Sequence, residues 1–218
     1  MNAFVAVALA YLAGSIPTAY LAGRWLKGID LRTVGSGNLG ATNVHRTLGT
    51  SAAVVVLVAD FLKGALPAAL LPPLVPLSGT MIAAGPFLGA GQLWLGLACG
   101  VAAIAGHAKP VFLLWRGGGK GVATAAGVFA ALAPGAFAVA FVSFAITFAM
   151  SRIVSLASLG AAVAMPVGMI LTVGARSPLF LVSVLVGLFV FWAHRGNITR
   201  LRQGTEPRFG AHTTEEAR

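Results

Sequence analysis

The sequence predicts an all-α integral membrane protein, and three observations carry that prediction. Hydrophobic residues fill 58% of the 218 positions and charged residues only 9%, where an ordinary soluble domain carries about 25% charged residues. The apolar residues fall in runs long enough to cross a hydrocarbon core, which takes about 20 residues of helix. The basic residues collect between those runs, so the net charge of +10 (15 Lys/Arg against 5 Asp/Glu) follows from membrane topology and needs no nucleic-acid partner. An excess of this kind also suits anionic lipid headgroups or a phosphorylated substrate.

Five runs read directly as spans, at 3–22, 51–71, 79–105, 154–173 and 179–193. The first lacks a basic leading segment and reads as a retained span, not a cleaved signal. The run 122–150 carries no charge and holds Ala133, Pro134 and Gly135 near its middle. It is either one long helix or a tight helical hairpin turning at Pro134 and Gly135. With a hairpin, three basic segments share one face: Arg24/Lys27/Arg32/Arg46, Lys109/Arg116/Lys120 and Arg195/Arg200/Arg202/Arg208. The positive-inside rule therefore predicts seven spans, N-terminus out and C-terminus in, within a single membrane-embedded domain over 1–218. Each hairpin arm would be short, roughly 18–24 Å of helix. This topology gathers the polar, glycine-rich loops on the cytoplasmic side.

Three such loops carry the functional signal. The first, VGSGNLGATNVHR, runs from Val34 to Arg46. Glycine-rich backbone can present successive N–H groups to an anion. Gly35 and Gly37 supply that freedom, and Ser36, Asn38, Thr42 and Asn43 add neutral donors. Arg46 adds a planar fork that fits phosphate. The second, GHAKPVFLLWRGGGKGVAT from Gly106 to Thr124, places Gly117, Gly118, Gly119, Lys120 and Gly121 at the start of a helix. Exposed N–H groups beside a lysine there form a phosphate cradle. Lys120 is followed by Gly121, so the loop is not a Walker A sequence and points away from nucleotide hydrolysis. Phe112 and Trp115 are expected at the membrane interface. The third, FWAHRGNITRLRQGTEP from Phe191 to Pro207, puts His194 and Asn197 three apart. They share one face if the helix continues. Glu206 stands among arginines as a salt-bridge partner.

Two further features lie inside spans. Asp60 and Lys63 are two charges at i, i+3, which neutralise each other; they are a site candidate or a structural pair under the glycine loops. Ser155 and Ser158 open a span, where serines commonly bond back to the helix. Ser155 gains meaning only if it meets the other loops.

Several chemistries are excluded. Cys99 is the one cysteine, so neither a disulfide nor a cysteine metal site can form. His45, His107, His194 and His212 lack close metal-ligand spacing. No G-x-S-x-G elbow occurs, and no H-x-x-x-x-D pair, because Phe112 and Thr50 stand five residues after His107 and His45.

Together these segments resemble the bacterial acyl-phosphate:glycerol-3-phosphate acyltransferase family, PlsY. The matching pieces are G-S-G-N-x-G-A-T-N-x-x-R at 35–46, D-x-x-K-G at 60–64, G-H-x-x-P-V-F with G-G-K-G-V-A-T at 106–124, S-L at 155–156, and H-R-x-N-I-x-R-L-x-x-G-T-E at 194–206. A third glycine precedes Lys120, and Leu39 stands where proline or valine is common. The resemblance implies a seven-helix enzyme of the bacterial inner (cytoplasmic) membrane with its active site facing the cytoplasm. It would move an acyl group from acyl phosphate to the sn-1 hydroxyl of glycerol 3-phosphate, releasing lysophosphatidic acid and inorganic phosphate, the first acylation of phospholipid synthesis. Neither acyl carrier protein nor CoA would be the direct donor, no cofactor or metal is implied, and a monomer among membrane lipids is expected. By motif, Ser36, Arg46, Lys120, Ser155, His194 and Asn197 would line the site. Arg46, Lys120 and the N–H groups of Gly117–Gly121 would hold phosphate, with Ser36 and Asn197 orienting oxygens. Either His194 or a substrate phosphate would take the proton. The competing reading is a transporter of phosphorylated metabolites, which would also use basic, glycine-rich breaks in a helical bundle.

Overall fold

The computed structural model describes residues 1–76 and 90–210, which are helical with no strand among them. Residues 79–89 of the expected 79–105 span, and His212, lie outside the described residues. The chain divides into two compact units, Met1–Pro134 and Gly135–Arg218.

In the first unit, α1 (Ala3–Ser15) starts where the Asn2 side chain accepts the Val5 N–H at 2.9 Å, a side-chain N-cap. Pro17 has no N–H to continue the ladder, so α1 stops and α2 (Thr18–Lys27) begins. The pair still makes one candidate span, Ala3–Lys27, longer than the 3–22 expected. A loop leads to α3 (Ala41–Leu48), whose C-terminal end is tied down by Lys27 Nζ donating to the Thr47 carbonyl at 2.7 Å. Then follow α4 (Thr50–Leu70), α5 (Ala90–Ala108) and α6 (Val122–Leu132).

Helix α4 shows how the unit is organised. Its buried positions are Ala53, Val56, Asp60, Lys63, Gly64, Pro67 and Ala68, a face at helical spacing, while Val54, Val55, Leu57, Val58, Leu62, Leu66 and Leu70 are exposed. Polar and small residues point inward and large aliphatic ones outward, the arrangement a lipid solvent requires. Lipid gives helices no hydrophobic reason to associate, so close backbone approach through small residues must hold them. Two seams do this. A Cβ at Gly14 of α1 would overlap the Ala103 carbonyl of α5, and one at Gly106 of α5 would overlap the Tyr11 carbonyl of α1. Gly64 of α4 meets the Thr124 carbonyl of α6 in the same way, and Gly127 of α6 meets Phe61 of α4.

The second unit contains α7 (Pro134–Ser151) from its second residue on, then α8 (Val154–Thr172), α9 (Pro178–Ala193) and α10 (Arg195–Arg202). The uncharged run 122–150 is therefore not one helix. The break falls at Ala133 (φ −148°, ψ 66°), and Pro134 opens α7, since proline suits a first helical position. Gly168 of α8 lies against Ala136 of α7, and Gly187 of α9 lies 3.2 Å from the Ala162 carbonyl of α8 when a Cβ is added. Among the described residues, five spans pass on length and apolarity, and α9 with α10 makes a sixth if that bent pair counts as one. At 11 residues, α6 is roughly 16 Å long, about half a hydrocarbon core.

Candidate active site

The first two glycine-rich loops lie in the first unit and are joined to each other. The Gly118 carbonyl accepts the Leu39 N–H at 3.2 Å and the Asn38 side-chain amide at 3.3 Å. Arg32 adds a second tie, donating from Nη1 to the Arg116 carbonyl at 3.3 Å while Asp30 holds its other guanidinium nitrogens, 2.6 Å at the closest. The hydrogen bond from Arg32 holds the Asp30 carboxyl below its usual range and outweighs partial desolvation; Asp30 in turn raises Arg32. Both groups therefore stay charged at neutral pH. Beneath the loop, Leu31 and Leu39 are buried with Ala19, Val44, Ala53 and Val56. Burial of each leucine contributes about 2 kcal/mol toward pinning the polar segment between them.

The loop residues divide into braces and presented groups. Asn43, fully buried, is a brace: its Oδ1 accepts the Ser36 N–H at 3.0 Å, and its Nδ2 donates to the Leu31 and Val34 carbonyls. Gly35 passes so close that a Cβ would overlap Asn43 Oδ1. Gly37 has φ 67°, which glycine adopts without strain. Ser36 and Arg46 are exposed, and Thr42 and Lys120 are half-buried. In the second loop, Gly121 (φ 77°) is the N-cap of α6, so Lys120 stands just before that helix's N-terminus. Gly119 turns inward and donates its N–H to the His107 carbonyl at 3.1 Å.

Below the second loop is a buried polar cluster. Asp60 Oδ1 accepts Thr18 Oγ1 at 2.5 Å and pairs with Lys63 Nζ at 2.8 Å. Lys63 also donates to the Ile16 carbonyl at 3.0 Å, and His107 Nδ1 lies 3.7 Å from Asp60. Lys63 and His107 line a small recess together with Ser15, Thr18, Gly118 and Gly119. The pair expected to neutralise itself does so, and it lies directly under the glycine loop.

In the second unit, the third motif forms its own cluster around Glu206. Glu206 Oε1 accepts Ser155 Oγ at 2.7 Å and Asn197 Nδ2 at 2.5 Å, and Oε2 accepts Arg200 Nε at 2.7 Å. Burial pushes the Glu206 carboxyl up, but the hydrogen bonds from Asn197, Ser155 and Arg200, with the Arg200 charge, outweigh it and hold the group below its usual range. The helix does not continue through His194: α9 and α10 meet there at a 61° bend. His194 and Asn197 are both buried. His194 Nδ1 lies 2.8 Å from the Val190 carbonyl. A carbonyl only accepts, so Nδ1 carries the proton and Nε2 is the basic nitrogen of the neutral ring. Ser155 meets the third motif through Glu206, whereas Ser158 bonds back to Val154.

Two bracing residues escaped the sequence reading. Arg32 had a local signal, an aspartate two positions earlier. His107 stands in the G-H-x-x-P-V-F motif, but its contact with the loop is tertiary and nothing in the spacing shows it. Phe112 and Trp115, expected at the interface, are both exposed on the protein surface, which lipid-facing residues such as Val55 are as well. Among the described residues, His, Cys, Asp and Glu nowhere gather in a set able to hold a metal ion.

Several proteins similar to this chain carry the name of one activity. A family profile described as Glycerol-3-phosphate acyltransferase matches residues 4–204. A glycerol-3-phosphate acyltransferase of Synechococcus sp. (strain CC9902) is 46% identical over 210 residues, 96% of either chain. One from Geobacter metallireducens is 48% identical over 202 residues, covering 93% of this chain and 95% of its own. A crystal structure of PlsY (YgiH), an integral membrane glycerol 3-phosphate acyltransferase in its glycerol 3-phosphate form, superposes with a TM-score of 0.82 at 38% identity, over 95% of this chain and 96% of that one. A second, in the lysophosphatidic acid form, gives a TM-score of 0.78 at 36% identity. The shared family, the helical membrane fold and the loop motifs agree: this chain belongs to the glycerol-3-phosphate acyltransferase family and is an integral membrane acyltransferase.

Proposed function

We propose that the chain transfers an acyl group from acyl phosphate to the sn-1 hydroxyl of glycerol 3-phosphate, giving lysophosphatidic acid and inorganic phosphate. The observation that carries this reading is the joint at the Gly118 carbonyl, which makes two glycine-rich, cationic loops one surface. Both substrates are phosphates, and a glycine-rich surface next to a helix N-terminus and Lys120 suits that charge. The two forms in which the solved relatives were captured name the acceptor and the product of this reaction.

In the reaction, the glycerol hydroxyl oxygen attacks the acyl carbonyl carbon and the carbon–oxygen bond to phosphate breaks. Phosphate is already a good leaving group, so positioning and charge stabilisation suffice without a covalent enzyme intermediate. Lys120, Arg46 and the N–H groups of Gly117, Gly118 and Gly121 hold phosphate oxygens. Gly35, Gly37, Asn38 and Thr42 shape the facing wall, Asn43 braces it, and Ser36 orients a substrate oxygen. The motif match also assigns two residues of the second unit to the reaction. His194 Nε2 accepts the hydroxyl proton or orients its acceptor, and Asn197, held with Ser155 by Glu206, orients a substrate oxygen. The acyl donor is acyl phosphate itself, without direct use of CoA or acyl carrier protein. The enzyme works as a seven-span monomer of the bacterial inner membrane, N-terminus out, with the loops on the cytoplasmic side.

Phosphate release by purified, lipid-supplied protein tests this. Acyl phosphate with glycerol 3-phosphate releases phosphate, acyl phosphate alone does not, and Lys120→Ala removes the activity. Absence of glycerol-3-phosphate-dependent release from folded wild type overturns the reading.

A further inference from the structure

We propose that His107, held in place by the Asp60–Lys63–Thr18 cluster, is a positioning residue that sets the backbone of the phosphate-binding loop just before Lys120. The inference rests on the reading of that loop as a phosphate cradle, and it gives the buried intramembrane charges a task in the reaction.

The geometry at Gly119 leads to it. Gly119 does not have the positive φ of Gly117, Gly118 and Gly121, so its backbone conformation is open to any residue. Space is what demands glycine there. A Cβ would overlap Nε2 and Cε1 of the His107 ring and lie 2.9 Å from Cδ2. The Gly119 N–H also donates to the His107 carbonyl. The loop therefore packs against the Nε2 end of one histidine ring and is tied to the same residue's carbonyl.

A histidine can serve as a floor only if it cannot swing away. His107 is buried in the last turn of α5. Its Nδ1 side faces Asp60 at 3.7 Å, beyond a good hydrogen bond, so close packing in a buried site, not an ion pair, keeps the ring in place. Asp60 is fixed in turn by Thr18 Oγ1 and by Lys63, and Lys63 is anchored on the Ile16 carbonyl at the α1–α2 break. Three segments of the first unit thus converge under Gly119: the α1–α2 break, α4 and the end of α5. Asp60 and Lys63 offset each other, so the floor adds no net charge to compete with Lys120 for phosphate. What it supplies is position, and a misplacement of about 1 Å at a reacting group costs on the order of 100-fold in rate.

A size-swap cycle tests this, using wild type, Gly119→Ala, His107→Ala and the double variant in the same lipid preparation, with both substrates varied. Gly119→Ala lowers kcat/KM on the order of 100-fold, because the added methyl lifts the loop off the ring. In the double variant the methyl has room, and kcat/KM recovers by roughly tenfold or more over Gly119→Ala. A requirement for glycine that came from phosphate access alone would leave the double variant no better than Gly119→Ala, and that result overturns the proposal. His107→Ala removes bulk without adding any. It raises KM for one of the two phosphate substrates about tenfold with a smaller change in kcat. KM values within twofold of wild type for both substrates also overturn the proposal. Wild type serves as the control for the underlying reading: if it shows no glycerol-3-phosphate-dependent turnover, the acyltransferase assignment fails first. If it turns over normally and the double variant shows no recovery, only the positioning role fails.

Discussion

Asp60 in the first unit and Glu206 in the second are both buried carboxylates, and the chain satisfies them in different ways. Asp60 sits inside an apolar span and finds its counter-charge three residues later on the same helix, with both side chains almost fully covered. Glu206 sits in a loop after the last helix. It draws a hydroxyl from 51 residues upstream, an amide from 9 residues upstream and a guanidinium whose side chain remains 43% exposed. The first arrangement must be neutral before it is anything else, because lipid offers no solvation to either charge. The second gathers donors because its task is to hold Ser155 and Asn197 in one orientation.

The contrast predicts unequal costs. Asp60→Ala has the largest effect, because it leaves Lys63 buried without its partner; a loss of about 3–5 kcal/mol is expected. Thermal unfolding in detergent or lipid should show it, and the double variant Asp60→Ala with Lys63→Met should recover most of it. A double variant as unstable as the single one would break the comparison. Glu206→Gln comes next, at about 1–3 kcal/mol. The amide it introduces faces donors that need an acceptor, yet Arg200 can turn to water. Turnover should fall alongside stability here, since Asn197 loses its orientation.

The same carboxylate gives a pH dependence with a defined sign. Its folded pKa lies below the ordinary carboxylate value, so its stabilisation is fully present above that ordinary value and is lost as pH falls through the folded one. Wild type should lose thermal stability on acidification over that window more steeply than Glu206→Gln does. Parallel curves would show that the cluster is not the titrating element. Ser155→Ala is the smallest perturbation. It removes one of three donors to Glu206 and should cost about 1 kcal/mol. A larger loss would mark Ser155 as more than a carboxylate partner.

Much of this was legible in the sequence, for physical reasons that vary by residue. The helical membrane class follows from apolar run length, and the Asp60–Lys63 pair follows from helical spacing, both properties of consecutive residues. The polar loops announced themselves because a plain turn needs far fewer hydrogen-bonding groups. What stayed hidden depends on residues distant in sequence. Asn43 has the same side chain as a phosphate ligand would, and only its burial under Gly35 shows that its amide is turned to its own loop. Gly119 is indistinguishable in sequence from the glycines around it, and only the ring of His107, 12 positions earlier, makes its role different. Helix ends were displaced by local capping: α1 with α2 runs past Ala22 to Lys27, where Gly28 caps it, and the 122–150 run breaks at Ala133, one residue before the proline that invited the turn.

The three-residue spacing of Asp60 and Lys63 also bears on how the protein is made. On an insertion scale, an aspartate or a lysine at the centre of a helix costs about 2.5–3.5 kcal/mol each to enter a membrane. Had either charge relied on α5 or α6 for its partner, α4 would have to wait in the translocation channel until those later helices were synthesised. Because the partner lies on the next turn of the same helix, the two charges can enter lipid already paired. Helix α4 can then leave the channel as a neutral segment, and the later helices close around an ion pair that is already formed.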